Sequence, residues 1–99
     1  KMWDDHDYCG QDEDRFCSWR SDAWQAFKEH WPTYTLANGS NGLWHSFTCG
    51  DAEVFVLDTR SQRDDNTDTD NSSKSMLDGA LIADDQKDWL KNGLNNSTK

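Results

Sequence analysis

Apolar residues are scarce in this chain of 99: only 33% are hydrophobic, where a globular domain ordinarily carries nearer ~45–50% with glycine counted. That leaves material for at most one small domain with a thin core. No run of 18 apolar residues occurs, so no segment reads as a membrane-spanning helix. Basic residues are few as well, ten Lys and Arg against nineteen Asp and Glu for a net charge of −9. Without a basic stripe to neutralise phosphates, nucleic acid is excluded as an expected partner. The three cysteines form no CxxC pair, which argues against a cysteine-held zinc.

What the chain does have is acid, and much of it is concentrated at the start, in Lys1-Met2-Trp3-Asp4-Asp5-His6-Asp7-Tyr8. Three carboxylates and an imidazole within four consecutive residues cannot be buried without a compensating cation. Aspartates supply the hard oxygen ligands suited to Ca²⁺, Mg²⁺ or Fe³⁺, and a histidine among them serves as ligand or as proton donor to a leaving group. The plainer alternative is a solvated acidic turn that carries a surface histidine. Met2-Trp3 reads as the end of a buried strand, with the acidic cluster in the loop at its carboxyl end, where open α/β sheets present ligands.

Four blocks follow one another along the chain: WDDHDYCGQD, AFKEHWP, FTCGDAEVFVLDTRSQRD and SMLDGALIADDQKDWL. In that order they resemble the alkaline phosphatase D (PhoD-like) family of metallophosphoesterases, and the resemblance covers nearly all of the chain. It implies an α/β fold, here part of a metallophosphoesterase sandwich with two helices and a two-strand hairpin-like unit. It also implies metal-dependent hydrolysis of a phosphate-ester substrate, with Ca²⁺ and iron as the metals and in-line attack of hydroxide on phosphorus. On that resemblance Asp5 takes the position of a metal ligand, and Asp4 is either a ligand or structural. His6 takes the place of the imidazole facing the substrate phosphate, and Asp7 that of the carboxylate orienting it. The family has GxND where this chain has Cys9-Gly10-Gln11-Asp12, so Gln11 stands where an Asn is expected. Such enzymes draw ligands from several loops, yet no Gly-Asp precedes Asp5 and no His follows His45. Residues 1–99 therefore read as a partial catalytic domain, truncated at both ends and expected to be inactive alone.

The rest of the chain is read from pattern. Cys9 and Cys17 lie eight residues apart across a polar loop, a spacing that would close a short disulfide in an oxidising compartment. Acidity and sequons at Asn38, Asn71, Asn95 and Asn96 are compatible with a secreted, periplasmic or extracellular protein. From Ser21, residues Ala23, Trp24, Phe27 and Trp31 make one helical stripe, with Ser21 or Asp22 as N-cap and Pro32 as the stop; His30 falls on the surface. Residues 43–48 and 52–59 read as two strands, and the run Val54-Phe55-Val56-Leu57 predicts a central strand buried on both faces. Arg60 at its end either binds phosphate or pairs with Asp58 or with the acidic cluster near His6. Residues 64–75 are acidic and free of apolar side chains, hence a mobile connector. Their Asp-x-Asn-x-Asp rhythm lacks the Gly and terminal Glu of an EF-hand. A last helix is predicted over 83–94, with Trp89, Leu90 and Leu94 inward. The rival to the enzyme reading is a secreted, acidic, calcium-binding module without catalysis.

Overall fold

In the computed structural model of the protein, which describes residues 1–79 and 85–99, helices and a small sheet share one chain. Five elements occur in the order α1 (Asp5–Tyr8), α2 (Arg20–His30), β1 (His45–Cys49), β2 (Ala52–Val56) and α3 (Asp85–Asn96). The fold is mixed α/β, with one more helix than the sequence predicts. Among the described residues no helix is long and apolar enough to cross a membrane.

Helix α2 forms where the apolar stripe places it and buries Trp24 and Phe27. Its N-cap is Trp19, which supplies no side-chain hydrogen bond, rather than Ser21 or Asp22. At the other end Trp31 is extended (φ −122°, ψ 115°), the conformation that a residue before proline is forced toward. This turn swings the Trp31 ring out of the stripe, leaving it 47% exposed beneath the Lys1 ammonium instead of in the core. The core itself joins Trp24 and Phe27 to Trp3, Tyr8 and Leu43. Trp3 packs at 4.9 Å on Tyr8 and at 5.5 Å, edge on, against Phe27. At roughly 1.5–3 kcal/mol for each large apolar side chain withdrawn from water, this cluster is the main source of stability.

The hairpin pairs His45 with Val56, Phe47 with Val54 and Cys49 with Ala52. Its two-residue loop opens on Gly50 at φ +59°, the first-position conformation a type II′ turn reserves for glycine. Alternation sends Phe55 to one face, where Trp89 of α3 meets it edge on at 5.6 Å. A Cβ on Gly93 would come within 2.4 Å of the Phe55 ring, so this mid-helix glycine permits the close approach rather than ending the helix. On the other face Tyr34 stacks on Phe47 at 4.5 Å. The expectation of a central strand buried on both faces does not hold, because among the described residues β2 has one strand neighbour and Val54 is 37% exposed. Strand β2 stops at Val56, and Leu43 and Trp44 are buried before β1 begins. Of the predicted start of the last helix, residues 83–84 lie outside the described part. Within α3 the buried residue is Gln86, while Leu94 faces outward at 58% exposure.

One polar junction ties these parts together. Asp58, 1% exposed, accepts hydrogen bonds from the Trp3 indole (3.1 Å), the Leu43 amide (3.0 Å), and the Ser61 amide and hydroxyl (3.0 and 2.5 Å). The Ser61 hydroxyl in turn accepts from the Trp24 indole at 3.0 Å. Gln86 lays its side-chain amide along the backbone of Asp58, accepting from its N–H (2.7 Å) and donating to its carbonyl (3.0 Å), as a neighbouring strand would. Every one of these polar groups is buried and each finds a partner, the condition for tolerating them there.

Candidate functional site

The acidic string is a helix start. Trp3 is not at the end of a strand: Met2 is exposed, Trp3 is buried, and Asp4 caps α1 with its carboxylate. The Asp4 carboxylate accepts from the Asp5 amide at 2.9 Å and from the Asp7 amide, and Asp7 Oδ2 returns to accept from the Asp4 amide at 3.2 Å, a reciprocal capping box. Trp3 before the cap and Tyr8 at the fourth helical position pack together as the accompanying hydrophobic staple. The Tyr8 hydroxyl donates to the Asp14 carbonyl at 2.9 Å, and burial pushes its ionisation well above the usual phenol range, against the opposing pull of Arg20.

This turn disposes the predicted site residues unevenly. His6 is exposed, and its Nε2 lies 3.3 Å from Gln11 Oε1. Asp7 does not hold the imidazole: successive helical residues point about 100° apart and do not face each other, and its carboxylate is on the Asp4 amide. Asp5, half-buried, accepts from the His6 amide at 2.9 Å. Asp4 meets Arg60, whose Nε and Nη2 donate to Oδ1 at 2.8 and 2.5 Å. Arg60 therefore pairs with the acidic cluster and not with Asp58. The guanidinium beside Asp4 holds that carboxyl below its ordinary range, helped by the Asp5 amide.

The strip Asp58-Thr59-Arg60-Ser61-Gln62-Arg63-Asp64 works as a clasp under the site. Arg60 Nη1 is 4.0 Å from Asp12 Oδ1, and Arg63 Nη2 donates to the Asp12 carbonyl at 2.9 Å. Gln62, 5% exposed, donates to the Asn41 carbonyl at 2.7 Å. Asp64 forms a largely buried ion pair with Arg15 and accepts from the Ser75 amide at 2.7 Å. It is thus no part of a solvated connector, although residues 66–73 are exposed as the sequence predicts. The loop facing the clasp, residues 9–17, is closed by the Cys9–Cys17 disulfide, the pairing its spacing suggested, while Cys49 is free and exposed.

Among the described residues no three His, Cys, Asp or Glu side chains converge to hold a metal ion. Asp4 and Asp7 turn to the helix start, and Arg60 donates to Asp4. A hollow of about 690 Å³ opens on the far side of α1 and is lined by Asp7, Phe27, His30 and Trp31. His6 does not line it, and the imidazole is exposed at the surface.

A family model described as PhoD-like phosphatase matches residues 1–99. The chain belongs to the PhoD-like phosphatase family. It is also 35% identical over 115 aligned residues to alkaline phosphatase D of Bacillus subtilis (strain 168), a match that takes in 97% of this chain and 20% of that relative. The chain thus spans about a fifth of the curated relative's length. No solved structure matches it. Within this PhoD-like chain, sequence reasoning missed Gln11, Arg63 and Asp58 as builders of the site's frame. Only the capping box and staple of Trp3, Asp4, Asp7 and Tyr8 carried a local signal by which the turn was recognisable.

Proposed function

We propose that these residues are part of the catalytic domain of a phosphoesterase that hydrolyses phosphate esters, with His6 delivering a proton to the leaving oxygen and Arg60 binding the phosphate. The observation that carries this reading is the family match over the whole chain, joined to an exposed imidazole on the same turn that Arg60 grips. As the ester P–O bond breaks, the leaving oxygen takes the ring proton, the role for which an exposed histidine beside carboxylates is suited. Arg60 reaches a phosphate by exchanging one anionic partner for another: its guanidinium is only 16% exposed, but Asp4 is 75% exposed, so the carboxylate it would release already stands in water.

Calcium and iron are assigned, on the family resemblance, to a site completed by ligands from outside these 99 residues, with Asp5 and secondarily Asp4 contributing from within. Among the described residues the donors do not form a metal site by themselves. We infer that residues 1–99 lie within a longer catalytic domain, a reading supported by their spanning about a fifth of the curated relative, and the Cys9–Cys17 disulfide supports a secreted or periplasmic location. The calcium-module reading has less behind it, because Asp64 is committed to Arg15 and the Asp65 carboxylate to Thr67.

The test is turnover of a chromogenic phosphate ester by the longer phosphatase. His6→Ala is expected to lower the rate by roughly 10²–10⁴, the usual scale for a lost proton-transfer group, and residues 1–99 alone should show no turnover. A wild-type rate in His6→Ala would sink the assignment of the proton donor.

A further inference from the structure

Gln11 stands where the resembled pattern has Asn, and its extra methylene lets one side chain touch two groups at once. Its Nε2 donates to Asp12 Oδ2 at 2.9 Å, and its Oε1 lies 3.3 Å from His6 Nε2. A carboxylate in its ionised form only accepts, so Asp12 fixes which end of the amide is which: the N–H end faces Asp12 and the carbonyl end faces the ring. A carbonyl in turn only accepts, so the ring nitrogen opposite it must carry hydrogen. His6 Nδ1 is then the nitrogen without a hydrogen-bond partner among the described residues.

Asp12 is itself held from below. Its backbone is in the left-handed region (φ 57°), its carbonyl accepts from Arg63, and its other carboxylate oxygen is 4.0 Å from Arg60 Nη1. The Cys9–Cys17 disulfide closes the loop that carries both Gln11 and Asp12. A row of groups therefore runs from the arginine after β2 to the imidazole on α1: Arg60, Asp12, Gln11, His6.

Resting on the reading of His6 as proton donor, we propose that Gln11 is the positioning residue of this site, replacing Asp7 in that role. Anchored by Asp12, it fixes the ring orientation and the Nε2–H tautomer of His6, so that Nδ1 is the atom presented to substrate. Oriented in this way, the protonated ring donates from Nδ1 while Nε2–H stays on Gln11.

The direct test is a long-range ¹H–¹⁵N correlation on ¹⁵N-labelled protein at a pH where the His6 ring is neutral. Wild type is expected to show the Nε2–H tautomer, and Gln11→Ala a mixture. Gln11 is exposed, so its truncation leaves the fold in place. In the longer phosphatase Gln11→Ala should lower kcat about tenfold, the lower end of what loss of a histidine-orienting partner costs. KM should change little, and Gln11→Ala should have no further effect once His6 is alanine. A wild-type tautomer in Gln11→Ala, or an equal loss of rate with and without His6, overturns the inference. A rate indifferent to His6→Ala overturns instead the proton-donor reading, while the tautomer measurement still decides whether Gln11 holds the ring.

Discussion

Asp58→Ala removes both carboxylate oxygens from a position that is 1% exposed and strands three donors: the Trp3 indole N–H and the amides of Leu43 and Ser61. The Ser61 hydroxyl can rotate toward another acceptor, so it is left out of the sum. A buried donor without a partner costs about 1–3 kcal/mol, so three cost roughly 3–9 kcal/mol, and partial relaxation brings the expectation to about 3–6 kcal/mol. Against a total stability of about 5–15 kcal/mol, and a thin core that puts this chain toward the lower end, the alanine variant should be largely unfolded. Asp58→Asn separates the effect of shape from that of acceptors. Its carbonyl end can still serve Trp3 and the Ser61 amide, and its N–H₂ end can donate to a turned Ser61 hydroxyl, leaving the Leu43 amide stranded for about 1–3 kcal/mol. Urea denaturation followed by tryptophan fluorescence and far-UV circular dichroism should rank wild type above Asn above Ala. An alanine variant within about 1 kcal/mol of wild type, or an asparagine variant as damaged as alanine, would refute the account of Asp58 as the junction of the fold.

The acidic loop should respond unevenly to the same measurement. Asp64→Ala unpairs the largely buried Arg15 and is expected to cost about 3 kcal/mol, whereas Asp68→Asn and Asp70→Asn, both exposed, should stay within about 0.5 kcal/mol of wild type; equal effects at all three would contradict the placement of Asp64. For Asp4, a carbon-detected NMR titration should find a midpoint below the ordinary 3.8, and Arg60→Ala should raise it. Because the folded value is depressed, the stabilisation from this pair is full above the ordinary carboxylate range and is lost as pH falls through the depressed value. The Arg60→Ala penalty should therefore be present at neutral pH and fade in acid. An Asp4 midpoint indifferent to Arg60→Ala would remove the ion pair from the account.

Much of this protein is legible along the chain because the forces involved are local. The Trp24 and Phe27 stripe with Pro32 after it announces α2, and the change to a period of two around Gly50 announces the hairpin. The cysteines of the disulfide are near neighbours in sequence, where loop closure costs little. Four ordered blocks carry the family. Even the helix beginning at Asp5 is written in the Trp3, Asp4, Asp7 and Tyr8 spacing.

The sequence by itself determined α2 and the hairpin, the candidate chemistry of His6 and, through four ordered blocks, the family, since each is written in the order of residue types along the chain. Tertiary structure alone decided how those residues are used. Asp58 meets Trp3 across 55 positions and Gln86 across 28, Arg60 meets Asp4 across 56, and Arg15 meets Asp64 across 49. A carboxylate carries no mark of its partner: the same side chain caps a helix, pairs with arginine or gathers buried donors according to what folding brings within about 3 Å. So the composition places nineteen acids in the chain, but only the fold turns Asp4 and Asp7 to a helix start, buries Asp58 and Asp64, and leaves His6 at the surface in the hold of Gln11.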